Sequence, residues 1–307
     1  MKAIRVAAYG SPDAMSLTEL DDPVPGDNEV LIDVAAASVN PIDWKIVSGA
    51  MKAFIPLPLP FTPGVDAAGT VIAVGRNVTT LAPGEEVMGF IGIVGAYATQ
   101  AVVDAARLAR IPESMRFQQA AAIPAASLTA WQALHEHGAL QAGQSVLIHA
   151  AAGGVGSVAV QLARLAGARV TGTASAGNRD YVLGLGATEV IDYAAEDFAA
   201  RTAAFDLVLD LVGGTTQDRS WSVLKPDGIL VSTVSKPDPA RGRDVGARGV
   251  NFATRADGPL LASLAALYGS GDLRTHIHAT YPLARAAQAL TTNMAGHVRG
   301  KLVIDMK

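Results

Sequence analysis

The run Val146-Leu147-Ile148-His149-Ala150-Ala151-Ala152-Gly153-Gly154-Val155-Gly156-Ser157-Val158-Ala159-Val160-Gln161-Leu162-Ala163 constrains this chain more than any other segment. Its first residues read as a buried strand, its last as an amphipathic helix, and the turn between them is built almost wholly of alanine and glycine. At a tight strand-to-helix turn the N–H groups of the first helical turn point outward, and a dinucleotide pyrophosphate can lie on them if no side chain intervenes. Gly153, Gly154 and Gly156, with Val155 between them, clear that approach. The spacing from Ala150 to Gly156 is Ala-x-x-Gly-x-x-Gly, a loose match to the Gly-x-Gly-x-x-Gly fingerprint. The competing reading is that the glycines only let a helix pack close to a strand; the flanking strand and helix favour a cofactor.

The surrounding text fits an alternating α/β region. Strands are expected over 145–149, 169–173, 189–191, 206–210 and 228–232, and helices over 154–166 and 179–185, which predicts a doubly wound parallel sheet. Up to about residue 110 the pattern is different: short apolar runs over 30–36, 69–74, 86–90 and 98–103, punctuated by Gly and Pro, as in a strand-rich domain. Between Val39 and Pro63 stand Pro41, Pro56, Pro58, Pro60 and Pro63, too many for an uninterrupted helix or a central strand, so this segment is expected to form a rim or lid. Helices are expected again over 259–270 and 284–294, and a closing strand over 300–304.

Composition narrows the function classes. Half of the 307 residues are apolar and 17% are charged, enough apolar surface to offset the ordering entropy of two domains. A net charge of -4 and the lack of any Lys/Arg run argue against a nucleic-acid partner. No apolar stretch approaches the roughly 18 to 20 residues that a bilayer requires, and the start, Met1-Lys2-Ala3-Ile4-Arg5-Val6, enters a strand pattern without a signal core, so a cytoplasmic address is expected. The chain has no cysteine, which rules out disulfides, thiolate catalysis and Cys-ligated zinc or iron–sulfur centres.

The strand after the glycine turn tests cofactor type. An NAD enzyme places Asp or Glu about 20 residues beyond the turn, on the ribose 2'-hydroxyl. Here the stretch reads Val170-Thr171-Gly172-Thr173-Ala174-Ser175-Ala176-Gly177-Asn178-Arg179, with no carboxylate before Asp180. Ser175 and Arg179 instead offer a hydroxyl and a guanidinium to a 2'-phosphate, so NADPH is expected. On position alone Arg179 is an ordinary solvated charge at a helix start; the missing acid beside it favours the phosphate reading.

These residues resemble the quinone oxidoreductase and enone reductase branch of the medium-chain dehydrogenase/reductase superfamily. The resemblance rests on Ile148 through Gly156 with Gln161-Leu162-Ala163, and on ordered landmarks along nearly the whole chain: Ala37-Ser38-Val39-Asn40-Pro41-Ile42-Asp43-Trp44-Lys45, Pro63-Gly64-Val65-Asp66-Ala67-Ala68-Gly69, Gly95-Ala96-Tyr97-Ala98, Leu128-Thr129-Ala130-Trp131 and Gly300-Lys301-Leu302-Val303. It implies a GroES-like, mainly β catalytic domain over 1–122 and 268–307, a Rossmann NADPH-binding domain over 123–267, and substrate entry between them. By resemblance, Gly153, Gly154, Val155 and Gly156 hold the pyrophosphate, Ser175, Arg179 and Tyr193 the 2'-phosphate and adenosine side, and Asn40 and Thr129 lie near the nicotinamide ribose or ring. Arg179 stands where lysine is more usual. In the zinc alcohol dehydrogenases of this superfamily the positions matching Asn40 and Val65 are a cysteine and a histidine ligand, and the lobe that holds structural zinc is absent here. Zinc-free chemistry follows as an expectation, and it suits conjugated carbonyls, whose developing negative charge hydrogen bonds can stabilise.

Four residues are candidates for the chemistry. Asn40, Asp43 and Lys45 fall in a loop that lines the cleft in this branch, and Tyr97 in its Gly-x-Tyr-Ala turn. Each has a structural alternative: Asp43 as a helix cap, Lys45 as a surface charge, Tyr97 as boundary packing. His149 reads as a buried, hydrogen-bonded core residue. His135 and His137, two apart, do not share a helical face and read as surface residues. The apolar segment 54–61 suits either hydrophobic substrates or packing. The leading expectation is thus an NADPH-dependent reductase of a hydrophobic quinone or α,β-unsaturated carbonyl, and the resemblance implies a homodimer. The alternatives are a non-catalytic NADPH-binding protein and a simple carbonyl or alcohol oxidoreductase.

Overall fold

The computed structural model describes residues 1–306. The chain divides into two compact units, one formed by Met1–Ala125 together with the chain from Ala256 onward, the other by Ala126–Arg255.

The first unit is mainly β. It contains β1 (Lys2–Arg5), β2 (Ser16–Glu19), β3 (Glu29–Val39), β4 (Asp66–Val74), β5 (Glu86–Phe90), β6 (Gln100–Asp104) and β7 (Leu108–Arg110). β1 and β2 form an antiparallel pair. β3 organises the larger sheet. One half of it, Glu29–Asp33, pairs with β6, while Val30–Ser38 pairs with β4 on its other side. Register shifts at Leu31/Ile32 and Val34/Ala36 let so long a strand follow both neighbours. The core between the layers collects Val30, Ile32, Val34, Val71, Val87 and Tyr97.

The segment expected to be too proline-rich for an uninterrupted helix holds a short one at its start, Pro41–Val47. Pro41 occupies its first turn, where a missing N–H removes no hydrogen bond, and the other prolines all lie downstream. The strand expected over 98–103 begins at Gln100, because Ala98 makes only an isolated bridge to Ala3.

The second unit carries a parallel sheet of β8 (Ser145–Ile148), β9 (Arg169–Ala174), β10 (Glu189–Asp192), β11 (Phe205–Asp210), β12 (Leu224–Ser232) and β13 (Arg248–Asn251). Their order across the sheet is β10-β9-β8-β11-β12-β13. The chain therefore starts in the middle, winds outward one way through β9 and β10, then returns to wind the other way from β11. This is the doubly wound Rossmann order, with its switch point between β8 and β11. β8 is buried along its whole length, as a central parallel strand covered on both faces must be.

The chain re-enters the first unit at Ala256, ahead of the boundary expected at 268. The helix Gly258–Gly269, capped by the Asp257 side chain on Leu260 N, packs on β7. A Cβ on Gly258 would lie 2.4 Å from the Ala106 carbonyl oxygen, so the contact is close enough to tie this helix to the first unit. Two further strands, β14 (Ile277–Pro282) and β15 (Lys301–Asp305), then complete the first unit's seven-stranded sheet, β15 lying between β14 and β3.

Candidate active site

In the second unit the chain leaves β8 at His149, and Ala150 turns it with φ of 50°. The Ala150 carbonyl accepts from Gly153 N at 3.0 Å. The same oxygen would be 2.2 Å from a Cβ on Gly156, so residue 156 is glycine because the helix starts against the turn's own backbone. Gly153 caps the helix Gly154–Leu165, and its carbonyl accepts from Ser157 N at 2.9 Å. The amides of Gly154, Val155 and Gly156 are first-turn donors with no acceptor inside the helix. Three outward N–H groups at the positive end of a twelve-residue helix, beside the switch point, fit a diphosphate. Gly172 on β9 contributes a second close approach, since a Cβ there would lie 2.7 Å from that of Ala151.

Ser175, Arg179 and Tyr193 gather at the ends of β9 and β10, where Ala174 pairs with Asp192. The Ser175 hydroxyl accepts from Asn178 Nδ2 at 3.1 Å. Arg179 is exposed and steadied by one bond, Nη1 to Val190 O at 2.8 Å, which uses one of its five N–H groups. Tyr193 is 54% exposed, and its amide donates to Ala174 O. This tip therefore presents a hydroxyl, a guanidinium and an aromatic face, and its own run 174–179 holds no carboxylate.

Thr129 is buried, with its hydroxyl 2.7 Å from that of Thr254. The neighbouring Gln132 carboxamide exchanges two hydrogen bonds with the Arg255 backbone, which fixes the segment on which Thr254 sits. His135 and His137, expected at the surface, are half-buried: His135 packs on Trp131 and His137 on Phe252, at ring-centroid distances of 5.2 and 4.3 Å. Both lie in a π-helical turn, Gln132–His137, and these ring contacts are what half-buries them.

His149 is the core residue expected. Ser220 Oγ donates to Thr216 O, so it accepts from His149 Nε2 at 2.9 Å, and Nδ1 is left to accept from the Thr173 hydroxyl at 3.1 Å. This neutral ring sits edge-on to Phe198, and burial pulls its pKa down to about 4.

The first unit holds the second cluster. Asn40, Asp43 and Tyr97 converge there, joined by two groups that sequence reasoning did not assign, Asp66 and Lys301. Asp43 Oδ2 accepts from Asn40 N and from Tyr97 Oη, both at 2.8 Å. Asp43 thus caps the helix Pro41–Val47 and also holds the tyrosine, and its Oδ1 is buried without a partner. Asn40 Nδ2 donates to Asp66 Oδ2 at 2.9 Å, and Asn40 Oδ1 accepts from Lys301 Nζ at 2.6 Å. Asp66 also receives the Ser38 hydroxyl and Ala125 N. Burial drives the Asp43 carboxyl up to about 7, against the lowering effect of its two donors. Burial likewise pushes Asp66 up and Lys301 down, and each charge opposes the other's shift. The Tyr97 phenol is pushed up by burial and by Asp43. Lys45 stays outside this cluster, its ammonium 5.7 Å above the Trp44 ring.

Asp66 and Lys301 each carry a signal in the sequence, a lone charge inside an apolar strand: Val65-Asp66-Ala67 and Lys301-Leu302-Val303-Ile304. Asp210 carries the same signal at the end of β11. It is buried and accepts from Val212 N, Gly213 N, Gln217 Nε2 and Ser232 Oγ, so it shapes the loop beside the switch point. Among the described residues no group of three or more His, Cys, Asp or Glu side chains is placed to hold a metal ion, and no helix is long and apolar enough to cross a membrane.

Residues 26–113 match the family model described as alcohol dehydrogenase GroES-like domain, and residues 185–304 that described as zinc-binding dehydrogenase. A chloroplastic quinone oxidoreductase of Triphysaria versicolor is 33% identical, the match covering 99% of this chain and 98% of that protein. A 2-methylene-furan-3-one reductase of Solanum lycopersicum is also 33% identical, over 99% of this chain and 79% of that protein. The crystal structure of Escherichia coli quinone oxidoreductase complexed with NADPH superposes with a TM-score of 0.91 at 28% identity, covering 99% of this chain and 100% of that one. Full-length similarity of this kind, joined to the Rossmann strand order, the glycine turn and the GroES-like segment, places the chain in the zinc-independent quinone oxidoreductase branch of the medium-chain dehydrogenase/reductase family.

Proposed function

We propose that this protein transfers hydride from NADPH to a quinone or an α,β-unsaturated carbonyl without a metal ion. The observation that carries the reading is the glycine turn at the switch point of the second unit, followed by a strand end whose run 174–179 carries Arg179 and no carboxylate. When bound, the reduced nicotinamide supplies the hydride. The amides of Gly154, Val155 and Gly156 hold the pyrophosphate, with Gly153 leaving the approach open. Ser175 and Arg179 hold the 2'-phosphate, and Tyr193 lies against the adenosine. Thr129 and Asn40 orient the nicotinamide end.

The substrate class follows from charge. Hydride arriving on a conjugated carbonyl sends negative charge to its oxygen, and a site without a Lewis acid must meet that charge with hydrogen-bond donors. At Asn40 and Val65, which stand where zinc relatives have ligands, this chain offers an amide and an apolar group. The relatives named above are named for quinones and for a methylene-furanone, both conjugated carbonyls. Tyr97 and Asp43 act from behind Asn40 by holding its main chain. The substrate that follows from the same reading is a small hydrophobic carbonyl or quinone, and the family resemblance supports pairing with a second copy of the chain.

The test is the loss of NADPH absorbance with a panel of quinones and enones. Turnover with NADPH at least about tenfold faster than with NADH supports the reading, as expected when one 2'-phosphate contact carries at least 1.4 kcal/mol. NADPH binding without turnover across the panel would instead identify a non-catalytic binder. No affinity for either nucleotide would refute both.

A further inference from the structure

The Asn40 carboxamide stands between two opposite charges. On its oxygen side Lys301 Nζ donates at 2.6 Å, and the same ammonium donates to Val39 O at 2.9 Å. On its nitrogen side Nδ2 donates to Asp66 Oδ2 at 2.9 Å. An amide can adopt either of two flips. An ammonium, however, has only hydrogens to offer, and a carboxylate that already receives Ser38 Oγ and Ala125 N has only lone pairs, so one flip alone satisfies both neighbours. The second amide hydrogen meets only the Ser38 hydroxyl, at 3.4 Å, the outer limit of a hydrogen bond.

Lys301 reaches this position from the far end of the chain. β15 pairs antiparallel with β3, Leu302 opposite Val39, which sets the preceding residue beside Asn40. At 5% exposure the ammonium has left water, and only partnered hydrogens and a nearby anion make that placement tolerable. Holding the end of β3 would require the bond to Val39 O alone. It would not require a second bond to Asn40 Oδ1, or a carboxylate on the opposite edge of the same amide. Asn40, at 8%, is the most exposed member of the series.

We propose that Lys301 is a positioning residue: with Asp66 it locks the Asn40 carboxamide in one orientation and polarises it, so that the amide hydrogen held only by the long Ser38 contact becomes a charge-assisted donor that a substrate oxygen can take over. The inference rests on the hydride-transfer reading above for what the amide does, but the locking itself is independent of activity.

The test uses the full-length protein with selectively 15N-labelled asparagine. The Asn40 side-chain signals, assigned by their loss in Asn40→Asp, are expected to be shifted and protected from solvent exchange, and to collapse toward free-asparagine values in Lys301→Met. In the same variant kcat with a quinone is expected to fall about 10- to 100-fold while NADPH affinity stays within about twofold of the parent. The double variant Lys301→Met/Asp66→Asn removes both charges and is expected to recover thermal stability without recovering kcat. If Lys301→Met alone does not fold, the double variant carries both comparisons. Unchanged amide signals, or kcat restored together with stability in the double variant, would overturn the proposal. A parent that turns over no quinone or enone would remove the functional reading, and the amide signals would still decide the locking.

Discussion

Asp43 and His149 are both buried ionisable groups, yet their pH signatures have opposite sign. The Asp43 carboxyl is raised from 3.8 to about 7 in the folded chain, so the native state holds more protons than the unfolded state between those values. Its contribution is full below 3.8 and is lost as pH rises through 7, about 4 kcal/mol across the window. Asp43→Asn keeps an oxygen for Asn40 N and Tyr97 Oη, so it should flatten the decline in melting temperature between pH 4 and 7 and melt higher than the parent at pH 8. His149 is lowered from 6.5 to about 4, so its contribution is full above 6.5 and is lost as pH falls toward 4, about 3 kcal/mol. His149→Gln should weaken that acid limb; a variant whose melting temperature falls as steeply as the parent's would contradict the burial argument. Arg179 is a third residue-scale case. Its bond to Val190 O steadies the side chain, and a charge-assisted contact to a 2'-phosphate is worth about 1.5 to 3 kcal/mol. Fluorescence titration of Arg179→Ala should show NADPH affinity down about 10- to 100-fold and NADH affinity nearly unchanged; equal losses would remove Arg179 from the cofactor site.

At the scale of elements, the turn between β8 and the helix Gly154–Leu165 has the narrowest tolerance. Alanine ordinarily favours a helix over glycine by up to about 1 kcal/mol, but at residue 156 its Cβ would sit 2.2 Å from a backbone oxygen that cannot move alone. Gly156→Ala should therefore be destabilising by about 1 to 3 kcal/mol and should cost NADPH affinity, because the first-turn amides move with it. Gly177→Ala, with no neighbour within 4 Å, is the stability control, read by urea denaturation. The elements that pattern reading found and those it missed divide along physical lines. β8, β11 and the helix Gly154–Leu165 are buried and strongly periodic, and they were legible. β13 (Arg-Gly-Val-Asn) is an exposed edge strand, and β14 alternates only Ile277, Ala279 and Tyr281 inward, so neither carries enough apolar signal to stand out from loop. The helix Pro41–Val47 was hidden by prolines that lie beyond its end.

At the scale of the whole molecule, the first unit is discontinuous, and its last strand is interior to the sheet. β15 brings Leu302, Val303 and Ile304 to full burial and separates β14 from β3. Burying those three side chains is worth about 5 to 9 kcal/mol, comparable to the entire stability of a typical domain. Truncation after Gly300 should therefore unfold the first unit, seen as loss of the near-ultraviolet circular dichroism contributed by Trp44, Tyr9, Tyr97 and Tyr281, which all pack in or against its core. Retention of that signal would show that β3 to β7 stand without the closing strand. The sequence by itself determined the two-part α/β architecture, the glycine turn and the carboxylate-free run 174–179 at the end of β9, because each depends on residues close together in the chain, where periodicity and spacing are direct records of structure. Only the tertiary structure decided that the second unit ends at Arg255, that Tyr97 faces Asp43, that Lys45 stands aside, and that Lys301 and Asp66 grip Asn40. These outcomes depend on contacts between segments far apart in the chain, 54 residues for Tyr97 and Asp43 and 261 for Lys301 and Asn40, which strand register brings into hydrogen-bond reach.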